Sequence, residues 1–239
     1  MAGPSGLVFF PFRESSPMTL YIFDTETTGL VDPEVVEAAW IKPRSIEDLR
    51  CDLTFMCRYK PSKPIELGAL ATHHILDEDV ANCKPSSAFA LPEDCQYILG
   101  HNVDYDWKAI GSPSIKRICT LALSRHFWPH LDSHSQSAMI YHLERERARD
   151  LLHVVHAAME DVINCKIILE HILKATMGTV KTWEQLWKLS EIARIPVKAP
   201  FGKYKGQPII AIPRQYVQWA MKQDEFDPYF LKAMKEVCL

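Results

Sequence analysis

The chain has 239 residues, 47% of them apolar and 24% charged, enough for a full α/β core with a small appendage and too apolar for disorder. A formal charge of -3 excludes a protein that coats a polyanion by bulk charge alone. Seven cysteines, odd in number and without a CxxC pair, speak against structural zinc and for a reducing, cytoplasmic setting. No segment has the roughly 18 uninterrupted apolar residues that span a bilayer, so no membrane partner is expected.

In chain order, residues 1–17 hold a short apolar run with neither a basic leader nor a small-residue cleavage pattern, and read as an N-terminal extension before a domain that opens at Met18. LYIFDTETTGL is an apolar run that stops at Asp24 and enters a Thr-rich turn, which predicts a buried strand delivering polar groups at its C-terminal end. VVEAAWI (35–41) and LTFMCRY (53–59) continue it as a strand meander. A helix is expected over Ile65 to Thr72, and CQYILGHN ends a fourth strand near Gly100. YDWKAI begins a short helix stopped by Gly111, Ser112 and Pro113, and SIKRICT is a strand passing into a helix that Pro129 ends. The charged run ERERARD (144–150) reads as a solvated loop or helix face ahead of the longest helix. There Ala158, Met159, Val162, Leu169, Ile172 and Leu173 recur at helical spacing, so one face packs on the sheet; Gly178 closes it.

The remainder changes character. Thr182 and Gln185 form a capping box, FGKYKGQPII is a basic segment punctuated by glycine, IPRQYVQWAM is an amphipathic helix, and Asp227-Pro228 caps a last helix. Residues 178–239 carry 10 Lys/Arg against 6 Asp/Glu, whereas the preceding residues carry 17 against 24. Lys198, Lys203, Lys205, Arg214 and Lys222 fall in a stretch with no acid. The expected division is therefore an extension over 1–17, a catalytic domain over 18–178, a linker helix over 179–198 and a small basic module over 199–239. Trp183, Trp187, Tyr216 and Trp219 are expected to pack between that module and the larger domain.

Asp24 and Glu26, two apart on a strand, point to one face and are close enough to share a hard cation. Such a pair alone is more often surface decoration. In FDTETTGL (23–30), HNVDYD (101–106) and HAAMED (156–161), however, the chain resembles the three motifs of the DEDDh 3'-to-5' exonucleases. The resemblance implies an α/β fold of the ribonuclease H-like type, with a mixed central sheet flanked by helices and a small C-terminal helical and basic module. It assigns Asp24, Glu26, Asp106 and Asp161 as ligands of two Mg2+ ions, with Mn2+ as a substitute, and His156 as general base. The chemistry agrees: two cations activate water and stabilise the leaving oxygen of a resistant phosphodiester, and carboxylates supply the charge that holds them. On one regular helix, five residues would separate His156 from Asp161 by about 140° and about 7.5 Å. His156 is therefore expected at the frayed helix start, leaning over the metals, whereas His153 has the wrong spacing.

By the same resemblance the Thr27 backbone holds the terminal nucleotide, Leu30 packs on its base, and Asn102 bonds a sugar, a phosphate or the loop backbone. His73 and His101 are read as structural, and Asp104 is an extra acid beside the second motif. RICTLALSRHFWP (117–129), FGKYKGQPI and YVQWAM are similar to the exodeoxyribonuclease X subfamily, over residues 18–239. That implies release of 5'-mononucleotides from the 3' ends of single-stranded and duplex DNA. Lys203 and Lys205, flanking Tyr204, are suited to phosphates and a stacked base. His126, His130 and His134 are evenly spaced, yet Pro129 breaks the helix a metal stripe would need. Two other readings stand beside this one. The first is an RNA 3'-end trimming exonuclease, since metal hydrolysis and stacking do not select deoxyribose. The second is a non-catalytic, polymerase-associated nucleic-acid-binding protein, which has no need for converging carboxylates.

Overall fold

The apolar run Leu20–Phe23, followed by Asp24-Thr-Glu-Thr, forms β1 (Leu20–Thr27), a central strand of a six-stranded sheet. The structure, a computed structural model, describes residues 18–152, 157–223 and 226–238. The expected extension over 1–17, His153 and the expected general base His156 lie outside the described residues. β2 (Val35–Pro43) and β3 (Cys51–Lys60) continue β1 as an antiparallel meander. β5 (Tyr97–Gly100) and β6 (Lys116–Cys119) pair parallel on its other side, and the two-residue β4 (Lys84–Pro85) lies along β3. The order β4-β3-β2-β1-β5-β6 is a mixed, ribonuclease H-like α/β sheet, as expected. All four residues of β5 are buried, which explains its unbroken apolar sequence: a parallel interior strand is covered on both faces.

The period of two along β1 sorts its side chains. Leu20 and Ile22 join Ala39, Ile41 and Leu99 in the cluster under α5 (Gln136–Leu143) and α7 (Ala158–Ala175). Phe23 joins Ala38, Ile98 and Val103 on the opposite face, where α3 (Asp104–Ala109) follows β5. On α7, Cys165, Ile168, Leu169 and Ile172 form one buried stripe, each isoleucine and leucine stabilising by about 1.5–3 kcal/mol. Asp161 stands one turn before Cys165, at the end of that stripe. α1 (Leu67–His73) lies close to the expected helix, and two short helices, α2 (Asp77–Val80) and α6 (Ala148–Leu151), add to it; α6 takes up the end of the ERERARD run.

α4 (Thr120–Phe127) follows β6, and α8 (Trp183–Ala193) packs on both, starting with the Thr182/Gln185 capping box. α8 also seals the outer edge of the sheet. Ser190 Oγ accepts from the Cys119 amide at 2.9 Å, and the Arg194 guanidinium donates to the Arg117 carbonyl at 3.3 Å. Beyond α8, Ala199, Ile209, Ile212, Val217, Ala220, Phe230, Ala233 and Met234 form a separate cluster around α9 (Arg214–Ala220) and α10 (Pro228–Cys238). Asp227 Oδ1 caps α10 by accepting from the Phe230 amide. Two tryptophans depart from expectation. Trp183 is buried in the main core, and Trp219, expected between the two parts, is 50% exposed on the smaller one. The junction is polar instead: Arg194 pairs with Asp104 at 2.8 Å and donates to the Tyr229 hydroxyl at 3.0 Å.

Candidate active site

The face of β1 that carries Leu20 and Ile22 continues as Asp24 and Glu26, so a single register both builds the core and ends it in acid. The buried stripe of α7 does the same from the other side. Where the two meet, Asp24, Glu26 and Asp161 each bring a carboxylate oxygen within 4.8 Å of the others. Asp106, 4% exposed, comes from α3 and stands outside this closest trio. Its Oδ1 accepts from the Thr25 amide at 3.0 Å and the Thr25 hydroxyl at 2.7 Å. The Asp161 carbonyl accepts from Gln136 Nε2 of α5 at 2.8 Å, which braces the first turn of α7.

Burial first, and neighbouring carboxylates second, disfavour the charged forms. Asp24 is held well above the usual carboxylate range by desolvation and by Asp106, Asp161 and Glu26. Glu26 is pushed up to about 8 by desolvation, Asp161 and Glu37. Asp106 rises to about 6 by desolvation, against its bonds from Thr25. Among the described residues no Lys or Arg pairs with Asp24, Glu26 or Asp106. Such a group of hard oxygen donors fits a divalent metal ion.

One buried acid was not expected. Glu37 on β2 stands opposite Glu26 in the ladder, is 1% exposed, and points to the core face with Ala39 and Ile41. Its Oε2 accepts from Arg58 Nε at 2.8 Å and its Oε1 from the Ala158 amide, the first of α7, at 3.3 Å. The signal lay in the alternation of VVEAAWI, which puts a charge in a core register.

Beside the carboxylates is a cleft of about 360 Å³ lined by Glu26, Thr27, Leu30, Glu66, Thr72 and Tyr105, within the size range of small-ligand pockets. Leu30 is 83% exposed there. The Gly29 carbonyl accepts from the Tyr105 hydroxyl at 2.7 Å and lies 3.3 Å from the Thr27 hydroxyl, and the two hydroxyls are themselves hydrogen-bonded. Gly29 has a φ of +152°, and a Cβ on it would meet the Glu66 carboxyl carbon at 2.2 Å. Asn102 is exposed in a left-handed turn, its carbonyl accepting from the Tyr105 amide.

The remaining sequence candidates are elsewhere or structural. His73 accepts from the Ile75 amide through Nδ1 and donates to the Thr27 carbonyl through Nε2, and burial lowers its pKa. His101 bonds Thr120 and the His134 carbonyl, with a pKa lowered by burial to about 4. Asp104 faces away from the trio, toward Arg117 and Arg194. Lys203, Tyr204 and Lys205 belong to the C-terminal unit, with the Lys203 ammonium 5.5 Å from the Tyr204 ring centre.

A family model described as "Putative quorum-sensing-regulated virulence factor" matches residues 186–231, within which none of the clustered carboxylates falls. Exodeoxyribonuclease 10 of Escherichia coli K12 is 25% identical over 224 residues, covering 90% of this chain and 97% of that protein. The uncharacterised protein YpeB of the same strain is 40% identical over 40 residues, 17% of this chain and 56% of its own length. A solved structure of exonuclease X in complex with 5' overhanging duplex DNA superposes with a TM-score of 0.59 at 26% identity, covering 72% of this chain and 99% of that one. With its mixed sheet, its carboxylates at the end of β1 and the start of α7, and these similarities, which support exonuclease activity, the chain has the DEDDh-type 3'-to-5' exonuclease fold and resembles exonuclease X.

Proposed function

We propose that the protein is a metal-dependent 3'-to-5' exodeoxyribonuclease that releases 5'-mononucleotides from single-stranded DNA and from duplex ends. The observation that carries this reading is the convergence of Asp24, Glu26 and Asp161 within 4.8 Å, with Asp106 adjoining, beside a nucleotide-sized cleft. DNA as the substrate is supported by the names of the similar proteins, an exodeoxyribonuclease and an exonuclease solved with duplex DNA.

In this mechanism Asp24, Glu26, Asp106 and Asp161 hold two Mg2+ ions, or Mn2+ in their place. When bound, the cations supply neutralising charge for the phosphate and lower the cost of deprotonating water. Thr25 fixes one oxygen of Asp106, and the other is the one that would take a cation. The Thr27 backbone and the exposed Leu30 hold the last nucleotide and its base, with Asn102 near the sugar-phosphate. His156, five residues before Asp161, takes the proton of the attacking water. Lys203, Tyr204 and Lys205 retain the strand farther away.

The test compares 5'-labelled single-stranded DNA, duplex DNA and RNA of one sequence, with Mg2+ and with excess chelator. Stepwise shortening of both DNA substrates from the 3' end, only with metal, is the expected result. Faster shortening of RNA would replace the deoxyribose assignment with RNA trimming, and shortening in chelator would refute the metal assignment.

A further inference from the structure

The C-terminal unit carries a row of rings that phosphodiester hydrolysis does not use. Tyr204 and Tyr216 lie 4.7 Å apart between centroids, Tyr216 and Trp219 5.2 Å, and Trp219 and Phe226 5.7 Å. The inner end is anchored, because Phe226 packs against Phe201 and against Phe230, which is 1% exposed. Next to that anchor the row opens to solvent: Trp219 is 50% exposed. Tyr216 and Trp219, three apart on α9, share one face of that helix. An indole left half in water yet held by neighbouring rings is preorganised to accept a flat partner.

Its surroundings select that partner. No Asp or Glu occurs from residue 192 to residue 223, while Lys203, Lys205, Arg214 and Lys222 are all exposed. Charge alone would attract any polyanion. An exposed indole beside a half-buried tyrosine, within a basic surface, favours one whose flat faces are accessible, which is a single strand and not a stacked duplex. The function also has to be separable from hydrolysis. The family match spans only residues 186–231, and a 40-residue match to YpeB is too short to hold both Asp24 and Asp161.

We propose that Tyr216 and Trp219, flanked by these four cations, are a stacking platform for the bases of single-stranded DNA, apart from the carboxylate site. The platform rests on the reading of DNA as substrate and adds to it a grip on the strand behind the end being cut.

The experiment uses the full chain with Asp24→Asn to prevent degradation, in Ca2+, and measures the affinity of oligo(dT) of about 30 nucleotides and of an abasic strand of equal length. Adding Trp219→Ala should weaken oligo(dT) binding about fivefold to 150-fold, and leave the abasic strand unaffected. Trp219→Phe should recover most of the loss. In Mg2+, with Asp24 intact, turnover of a trinucleotide should be the same for Trp219→Ala and the parent. Equal oligo(dT) affinity with and without Trp219, as expected of a surface made for an acidic protein, overturns the platform, as does an equal loss on the abasic strand. Should Trp219→Ala fail to fold, photocrosslinking of 5-iododeoxyuridine DNA to the unaltered chain decides. Adducts in the tryptic peptide 215–222 support the platform, and their absence refutes it. Failure of the parent to hydrolyse the trinucleotide would instead count against the exonuclease mechanism, separately from the binding result.

Discussion

Glu26 shows what the site costs the fold without metal. Its pKa rises from about 4.5 in the unfolded chain to about 8 in the folded one, so folding favours its protonated form. The associated stability is complete below pH 4.5 and lost as the pH climbs through about 8. In excess chelator, Glu26→Gln should therefore melt higher than the parent at pH 8 and no higher at pH 4. Melting curves at both values check this, and saturating Mg2+ should reverse the order at pH 8, since a bound cation stabilises the carboxylates of the parent. His156 makes a kinetic prediction. Replacement by Ala should lower turnover by about 10²-fold to 10⁴-fold with metal affinity retained, and His153→Ala should do much less, as single-turnover rates and metal titrations would read. Equal losses at the two positions would remove the general-base role.

At the scale of elements, Glu37 joins three parts: it lies on β2, takes a hydrogen bond from Arg58 of β3, and accepts from the first amide of α7. Glu37→Gln keeps an acceptor for Ala158, whereas Glu37→Ala leaves a buried amide unpaired, at about 1–3 kcal/mol. Turnover and metal affinity should thus fall more for Ala than for Gln, because the start of α7 positions Asp161. Kinetics and metal titration of the two variants check the order. The elements themselves were largely legible: an apolar run stopping at Asp24 marked β1, the close succession of VVEAAWI and LTFMCRY marked the meander, apolar spacing marked α7, and Thr182 with Gln185 marked the start of α8. Three of the acids, Asp24, Glu26 and Asp161, were legible through their motifs, and the structure places them together. For Glu37 the strand register shows only a charge on the core face; its partners Arg58 and Ala158 are 21 and 121 residues away, and that meeting is not written in any local pattern. The half-exposed state of Trp219 was hidden for the same reason, since helical spacing gives a face without saying what covers it.

At the scale of the whole molecule, acid and base are segregated along the chain, which should make retention of DNA separable from its hydrolysis. Lys203→Ala combined with Lys205→Ala should keep the melting temperature and the saturated rate while weakening DNA binding. Each lost phosphate contact should also lower the slope of log affinity against log salt by about 0.7 on single strands and about 0.9 on duplex. An unchanged slope with unchanged affinity would leave FGKYKG as a surface turn. The sealing of β6 by α8 has a consequence of another kind. Ser190 and Arg194 occupy backbone groups that would otherwise lie open along the rim of the sheet, the sort of rim that recruits strands from other molecules. A fragment ending at residue 178, before this plug, should self-associate through β6, whereas one ending at residue 198 should stay monodisperse; sedimentation of the two would show it. Between the exonuclease fold and the unit that follows, α8 is then more than a tether: it keeps the sheet from finding a second copy of itself.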